Sequence, residues 1–215
     1  MTRPGKGRRL GSRVGQGLWI IGILLMATFV LTVVDAGAYQ TWHGWRLSGL
    51  FGGTAAGVRD EAETTGLIGR IAIDRIGLSA IVAEGVGADT LRRAVGHMPG
   101  TPFPGEPGNA VLAGHRDTFF RTLKGIRKGD TIHLAIPEGR YDYVVDSMKV
   151  VTPNHVELLK ATKSPTLTLI TCYPFRYIGR APKRFVVRAT LAPSDGYASA
   201  DRDSRVVVRA GQPSL

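Results

Sequence analysis

The sequence contains a single cysteine, Cys172, among its 215 residues. One thiol excludes an intrachain disulfide and leaves three roles open: an inert core residue, a reactive nucleophile or half of an intermolecular bond. The sequence has no internal repeat. It also lacks long lysine and arginine blocks with interleaved aromatic residues, so nucleic acid is not an expected partner. Hydrophobic residues make up 43% and charged residues 21%, which is typical of a globular protein rather than a fibrous or wholly disordered one.

Acidic residues are scarce, because 17 aspartates and glutamates face 28 lysines and arginines, a formal net charge of +11. Such an excess fits nucleic acid, an anionic membrane surface or an acidic polymer, and its location helps to decide between them. Residues 1–17 carry no acidic residue. Their five basic residues are Arg3, Lys6, Arg8, Arg9 and Arg13. This segment is interpreted as a basic cytoplasmic tail.

An uncharged apolar run, Leu18–Val34, follows the basic tail. Its length is close to what crosses the hydrocarbon core of a bilayer at about 1.5 Å per residue. We therefore predict a transmembrane signal anchor over residues 18–35, and a single-pass cell-membrane protein. Positive charges before the run predict a cytoplasmic N-terminus and an extracytoplasmic remainder. The alternative is a cleavable signal peptide ending near Ala36-Gly37-Ala38, although the run is longer than typical signal-peptide cores.

Residues 36–66 are rich in small and polar residues and predict a linker. Residues 67–192 contain seven short β-like runs separated by turn signals, and a Pro/Gly cluster over 99–108 predicts a loop. We therefore predict an all-β domain of seven to eight strands, with short helices at 89–95, 118–125 and 156–160. A closed or nearly closed barrel is favoured because it avoids exposed strand edges. Residues 193–215 are polar and predict a disordered tail.

Three side chains of catalytic type lie at the ends of predicted strands. Cys172 follows the run TLTLIT, His115 follows NAVLAG, and Arg184 opens RFVVRATL. A nucleophilic thiol needs a group that carries its proton and a donor that stabilises the oxyanion formed from an attacked carbonyl. Imidazole and guanidinium suit those two tasks. Gly114, just before the histidine, would allow two backbones to approach closely.

Metal binding is the first alternative. The histidines show no short ligand spacing such as H-x-x-x-H, and the one cysteine belongs to no C-x-x-C pair, so neither a metal nor a cofactor is predicted. The histidines considered were His97, His115, His133 and His155. Two further alternatives are a non-catalytic, membrane-anchored β-barrel binding module and an L,D-type cell-wall cysteine transpeptidase. The residues that precede the thiol, Leu169-Ile170-Thr171, do not match the second of these.

The segments LAGHRDT around His115 and TLITC around Cys172, with RFVVRA downstream, resemble the sortase family, most closely its class D members. The resemblance implies a sortase-type β-barrel and a cysteine transpeptidase, formally a hydrolase-class endopeptidase. Its substrates would be secreted proteins with a C-terminal LPxTG-like sorting signal, cleaved through a thioester acyl-enzyme. The acceptor would be an amine, such as a peptidoglycan stem peptide or a pilin lysine.

The resemblance also implies roles for individual residues. The family's catalytic cysteine, histidine and arginine fall on Cys172, His115 and Arg184. Thr171 and Gly114 are predicted to contribute to substrate binding. No dense acidic cluster precedes TLITC, so activation by calcium is not expected.

Overall fold

The computed structural model describes residues 7–50, 66–137, 139–154 and 156–193. Residues 51–65 of the predicted linker, all but the first residue of the predicted disordered tail, and His155 lie outside these ranges. The described part consists of one long N-terminal helix and a β-barrel that follows it.

Helix α1 spans Gly7–Leu50, which is 44 residues. Within it, Gly15–Trp42 is long and apolar enough to cross a membrane, and its large apolar side chains are exposed. The helix therefore runs well past residue 35, where the transmembrane segment was expected to give way to a linker. No proline occurs between residues 35 and 50. Extending an existing helix needs no new nucleation, so the chain stays helical.

The C-terminal part of α1 packs against the barrel. The Gln40 side chain accepts a hydrogen bond from the backbone amide of Ile81 at 2.8 Å and donates one to the carbonyl of Arg93 at 2.7 Å. Arg93 in turn donates to the Asp35 carboxylate at 2.8 Å. Tyr39 packs on a small buried apolar cluster that includes Leu67 and Ile81. These contacts hold the helix directly on the domain.

Eight strands form the barrel. They are β1 Leu67–Ile73, β2 Leu78–Glu84, β3 Val95–His97, β4 Asn109–Ala113, β5 Thr131–Ile136, β6 Gly139–Val151, β7 Thr166–Tyr173 and β8 Lys183–Leu191. A short helix, α2, spans Ala88–Arg93, and 3-10 turns occur at Asp74–Ile76, Arg121–Gly125 and Val156–Leu159. The sequence predicted the other seven strands but not β3, whose three residues are too few to show an alternating pattern.

The strands close in the order β1-β2-β3-β4-β7-β8-β6-β5. The pairs β2–β3 and β4–β7 are parallel, and the remaining neighbours are antiparallel. Alternate residues of each strand point inward and form one main core; on β7 these include Leu167 and Leu169. The predicted closed barrel is thus confirmed. Residues of β7 with even numbers, Cys172 among them, face outward because side chains alternate along a strand.

Candidate active site at the ends of strands β4, β7 and β8

Cys172 lies next to last in β7 and is half-buried. Its direct partner across the antiparallel β7–β8 ladder is Arg184. Residues opposite each other in such a ladder have Cβ atoms about 5 Å apart and project from the same face of the sheet. The thiol and the arginine, twelve positions apart in sequence, are therefore brought to one place by strand pairing alone.

His115 reaches this place through β4, which runs parallel to β7. The register pairs Ala113 with Ile170, and two further bonds extend it. The Gly114 amide donates to the Ile170 carbonyl at 3.1 Å, and the buried Thr171 hydroxyl donates to the Gly114 carbonyl at 2.7 Å. His115 follows Gly114 on the first segment, and Cys172 follows Thr171 on the second. The two segments run side by side up to these residues.

A tight turn after β4 fixes the backbone of the histidine. The His115 carbonyl accepts hydrogen bonds from the Phe120 amide at 3.1 Å and from the Thr118 amide at 3.4 Å. The Phe120 ring is fully buried and packs on Gly114, where an added Cβ would lie 2.8 Å from a ring carbon. Glycine is therefore required before the histidine for packing reasons. The imidazole itself is exposed to solvent.

Thr171 and Gly114 were predicted to bind substrate. Both are buried, and the bond between them uses the threonine proton and the glycine carbonyl. What the structure describes is a link between the two segments that carry Cys172 and His115. Direct contact of either residue with a substrate stays a prediction.

The Arg184 guanidinium turns back toward its own loop. Its Nη1 donates to the carbonyls of Lys183 at 3.0 Å and of Ala181 at 3.3 Å. An arginine has five N–H donors, and these two bonds involve only Nη1. The donors on Nε and Nη2 bond to no residue that the structure describes, so they are available to another acceptor.

Arg116 is a residue whose importance sequence reasoning missed. It is only 7% exposed, although arginine is rarely buried. Its guanidinium donates to three carbonyls of the β7–β8 connection: Pro174 at 3.0 Å, Tyr177 at 2.8 Å and Gly179 at 3.1 Å. The residue after His115 thereby holds the loop that follows Cys172. Only its position next to the histidine could have suggested this role.

Aromatic and apolar side chains flank the three residues. Tyr173, Phe175 and Phe185 contact one another, with ring centroids 5.4 to 6.4 Å apart. On the outward face of the sheet, just before the strand ends, Ala113 pairs with Ile170, which pairs in turn with Val186. The site thus combines an apolar surface along the strands with polar groups at the strand ends.

Charged and metal-binding groups elsewhere do not add to this site. Within the described ranges, no group of three or more His, Cys, Asp or Glu side chains could hold a metal ion. Buried His97 contacts Glu84 at 2.7 Å, and His133 contacts Asp142 at 2.7 Å. Each of these two histidines thus has a carboxylate neighbour of its own.

Comparison with known proteins gives a consistent result. The family model described as "Sortase domain" matches residues 71–192. Sortase D of Bacillus subtilis (strain 168) is 36% identical over 128 residues, which cover 59% of this chain and 65% of that protein. Sortase A of Streptococcus agalactiae serotype III (strain NEM316) is 28% identical over 144 residues, or 63% and 57% of the two chains. The chain thus spans less than two thirds of either curated relative.

Solved structures agree with the sequence relatives. Sortase C from Clostridium perfringens SM101 superposes with a TM-score of 0.54 at 30% identity, covering 60% of this chain and 71% of that one. A Clostridium perfringens sortase D5 transpeptidase superposes with a TM-score of 0.63 and covers 74% of this chain and 99% of that one. Its 24% identity supports the fold alone.

Proposed function

The chain belongs to the sortase family, and we propose that it is a membrane-anchored cysteine transpeptidase with Cys172 as nucleophile, His115 as proton carrier and Arg184 as oxyanion stabiliser. The single observation that carries this proposal is the convergence of the three residues at adjacent ends of β4, β7 and β8. The proposed substrate is a secreted protein bearing an LPxTG-like sorting signal.

In the first half-reaction, the Cys172 sulfur attacks the carbonyl carbon of the threonine in the sorting signal. The C–S bond forms first and gives a tetrahedral oxyanion. Its collapse breaks the C–N bond, and His115 delivers the proton that the departing amine requires. The products are a thioester on Cys172 and the released C-terminal fragment. The half-buried position of the thiol supports this role, because a fully buried one could not meet a peptide.

In the second half-reaction, an amine attacks the thioester carbonyl. The new C–N bond forms, the C–S bond breaks, and the proton lost by the amine passes to His115, which restores the starting state. Water in place of the amine would give hydrolysis instead. The acceptor amine is proposed to belong to a peptidoglycan stem peptide or a pilin lysine.

Arg184 would act in both half-reactions, since each passes through a tetrahedral oxyanion. One well-placed donor to such an oxyanion contributes about 3 kcal/mol. The register opposite Cys172 supports this assignment. The Nε and Nη2 groups, which bond to nothing in the described ranges, supply the donors. The bonds from Nη1 to the carbonyls of Ala181 and Lys183 hold the guanidinium near the end of β8.

The apolar pairs Ala113–Ile170 and Ile170–Val186 support a path for the peptide. They lie on the outward face of the sheet, two residues before the ends at which the catalytic groups stand. We propose that the apolar first residues of a sorting signal lie along this surface. The scissile bond would then reach the sulfur at the strand ends.

Membrane attachment through α1 is part of the proposal. An apolar stretch of adequate length supports it, with basic residues on its N-terminal side. The helix is continuous through Ala36-Gly37-Ala38, and both Asp35 and Gln40 bond to the domain across that segment. Retention of the helix is favoured over cleavage, because cleavage there would break this connection.

The test uses the full-length protein in nanodiscs with a panel of fluorescent LPxTG-type peptides and an amine acceptor. We expect cleavage after the threonine, a ligated product and a mass adduct on Cys172. The matched control is Cys172→Ala, which should form no adduct and keep the wild-type melting temperature. Absence of cleavage and of any adduct across the panel would refute the transpeptidase proposal.

A further inference from the structure

A cavity of about 230 Å³ opens beyond the ends of β4 and β7, lined by residues that follow His115 and Cys172 in the chain. We call it the basic cavity. Its lining residues are Arg116, Asp117, Arg121, Lys124, Phe175 and Arg176. Four of the six are cations and only one is an acid. The cavity is therefore a concentrated source of positive potential.

Most of this positive charge is not neutralised. Asp117 is the one acidic residue in the lining. Its carboxylate Oδ1 lies 3.4 Å from Arg116 Nε. Arg121, Lys124 and Arg176 are exposed and make no side-chain hydrogen bond or ion pair with any residue that the structure describes. Three like charges around one concavity, without a counter-charge, favour an anionic ligand.

The cavity is close enough to take part in the reaction. Asp117 is two residues beyond His115, and Phe175 is three beyond Cys172. A residue spans at most about 3.5 Å, so the walls begin within roughly 10 Å of both catalytic positions. The bonds from Arg116 to the carbonyls of the β7–β8 connection hold the segment that carries Phe175 and Arg176. The cavity is thus built before any ligand arrives.

We propose that the basic cavity binds a carboxylate of the amine acceptor and so orients its amine toward the thioester. This inference rests on the proposed transpeptidase function. The amine acceptor is favoured over the sorting signal as the ligand of this cavity, because the cavity and the apolar surface lie on opposite sides of the strand ends. The apolar surface of Ala113, Ile170 and Val186 precedes the strand ends, whereas the basic cavity lies beyond them. The two sides match two substrates that meet at Cys172.

The chemistry defines the acceptor class. It carries a primary amine and a carboxylate separated by no more than about 10 Å, the reach set above. A diamino acid with one free side-chain amine and a free carboxylate meets this condition. The same residue with its carboxylate amidated keeps the nucleophile and loses the charge, which gives a matched pair of acceptors.

The test compares N-acetyl-lysine with N-acetyl-lysinamide as acceptors for the full-length enzyme acylated by its sorting peptide. We expect wild type to favour the carboxylated acceptor by about tenfold in kcat/KM, as one charge-assisted interaction provides. The double variant Arg121→Gln, Lys124→Gln should lose this preference. Lys128→Gln removes an equally exposed cation outside the cavity and should keep it.

Several outcomes would overturn the proposal. Equal use of both acceptors by wild type, with normal peptide hydrolysis, would refute the carboxylate site and leave the transpeptidase function standing. Absence of acyl-enzyme would instead refute the function itself. If the amines react too slowly, calorimetry on the Cys172→Ala protein replaces kinetics, and equal binding of the two amines is then the refuting result. Stronger competition by inorganic phosphate than by acetate would reassign the anion to a phosphate.

Discussion

The Thr171 hydroxyl donates a 2.7 Å hydrogen bond to the carbonyl of Gly114, 57 residues earlier in the chain. Thr171 immediately precedes Cys172, and Gly114 immediately precedes His115. Both Cys172 and His115 are proposed catalytic residues. Because both partners are buried, the bond is shielded from competition by water. It fixes the separation of the two chain segments that carry the thiol and the imidazole.

Replacing Thr171 with valine tests this link. The change keeps the shape and removes the donor, so the free energy of unfolding should fall by about 1 kcal/mol, as for one net hydrogen bond. Turnover should fall further, by about 10- to 100-fold, because the two reacting groups lose their mutual orientation. Thr168→Val is the matched control: that buried hydroxyl bonds Asn109 on the same two strands at 2.7 Å. Equal effects of both variants on turnover would contradict the orienting role.

Arg116→Gln tests the loop contact. Three hydrogen bonds from a buried guanidinium to loop carbonyls are lost, and one amide cannot replace them. We expect faster hydrogen exchange at residues 175–181 and about a tenfold loss in kcat/KM for the sorting peptide, with exchange in the barrel strands little changed. Arg127→Gln, an exposed arginine, provides the control. Unchanged exchange in the loop would show that Arg116 does not hold it.

Arg184→Lys separates charge from geometry. Lysine keeps the positive charge but lacks the planar set of donors, so kcat should fall by about 100-fold while KM for the peptide changes little. Lys183→Gln, at the neighbouring exposed position, should keep wild-type kinetics. A wild-type kcat in the lysine variant would rule out the need for the planar set of donors. Positive charge would then be sufficient at this position.

A pH dependence of stability follows from Asp130, whose carboxylate accepts hydrogen bonds from the Arg75 guanidinium and from the Arg127 amide. The Arg75 bond holds the pKa of Asp130 below its usual value. Since the folded pKa is lowered, the stabilisation is present above the unfolded pKa of about 3.9 and is lost as the pH falls through the folded value.

Asp130→Asn should therefore lower the melting temperature at pH 7 and have progressively less effect as the pH falls below about 4. Thermal melts of both proteins across pH 2 to 8 measure this convergence. Asp89→Asn, at a side chain that is 94% exposed, should show no such trend. A constant difference at all pH values would mean that the ion pair is not the cause.

Local patterns predicted most of the barrel. Seven of the eight strands were predicted from short β-like runs bounded by turn signals, and the segments around His115 and Cys172 identified the family correctly. Strand β3 was missed because its three residues pair with β2 and β4 only in the folded chain. The helix continues beyond residue 35, where a linker was predicted, because a change in composition does not by itself stop a helix.

The arrangement around the site could be predicted only in part. Residue types indicated a thiol, an imidazole and a guanidinium at strand ends, but not that Cys172 and Arg184 share one register position. Thr171 and Gly114 were assigned to substrate, whereas their described bond is to each other. Arg116 resembled an ordinary polar turn residue, because its three acceptors lie about 60 positions away.

The contacts of Gln40, Asp35 and Tyr39 give the long helix a further meaning. The last residue of the uncharged apolar run, Val34, precedes Gln40 by six positions, about 9 Å of helix. If the run fills the hydrocarbon, the barrel rests among the lipid headgroups, and the described contacts with the helix limit how far it can turn. The candidate active site would then stay at a fixed height above the membrane, so that membrane-bound partners reach it by lateral diffusion in two dimensions.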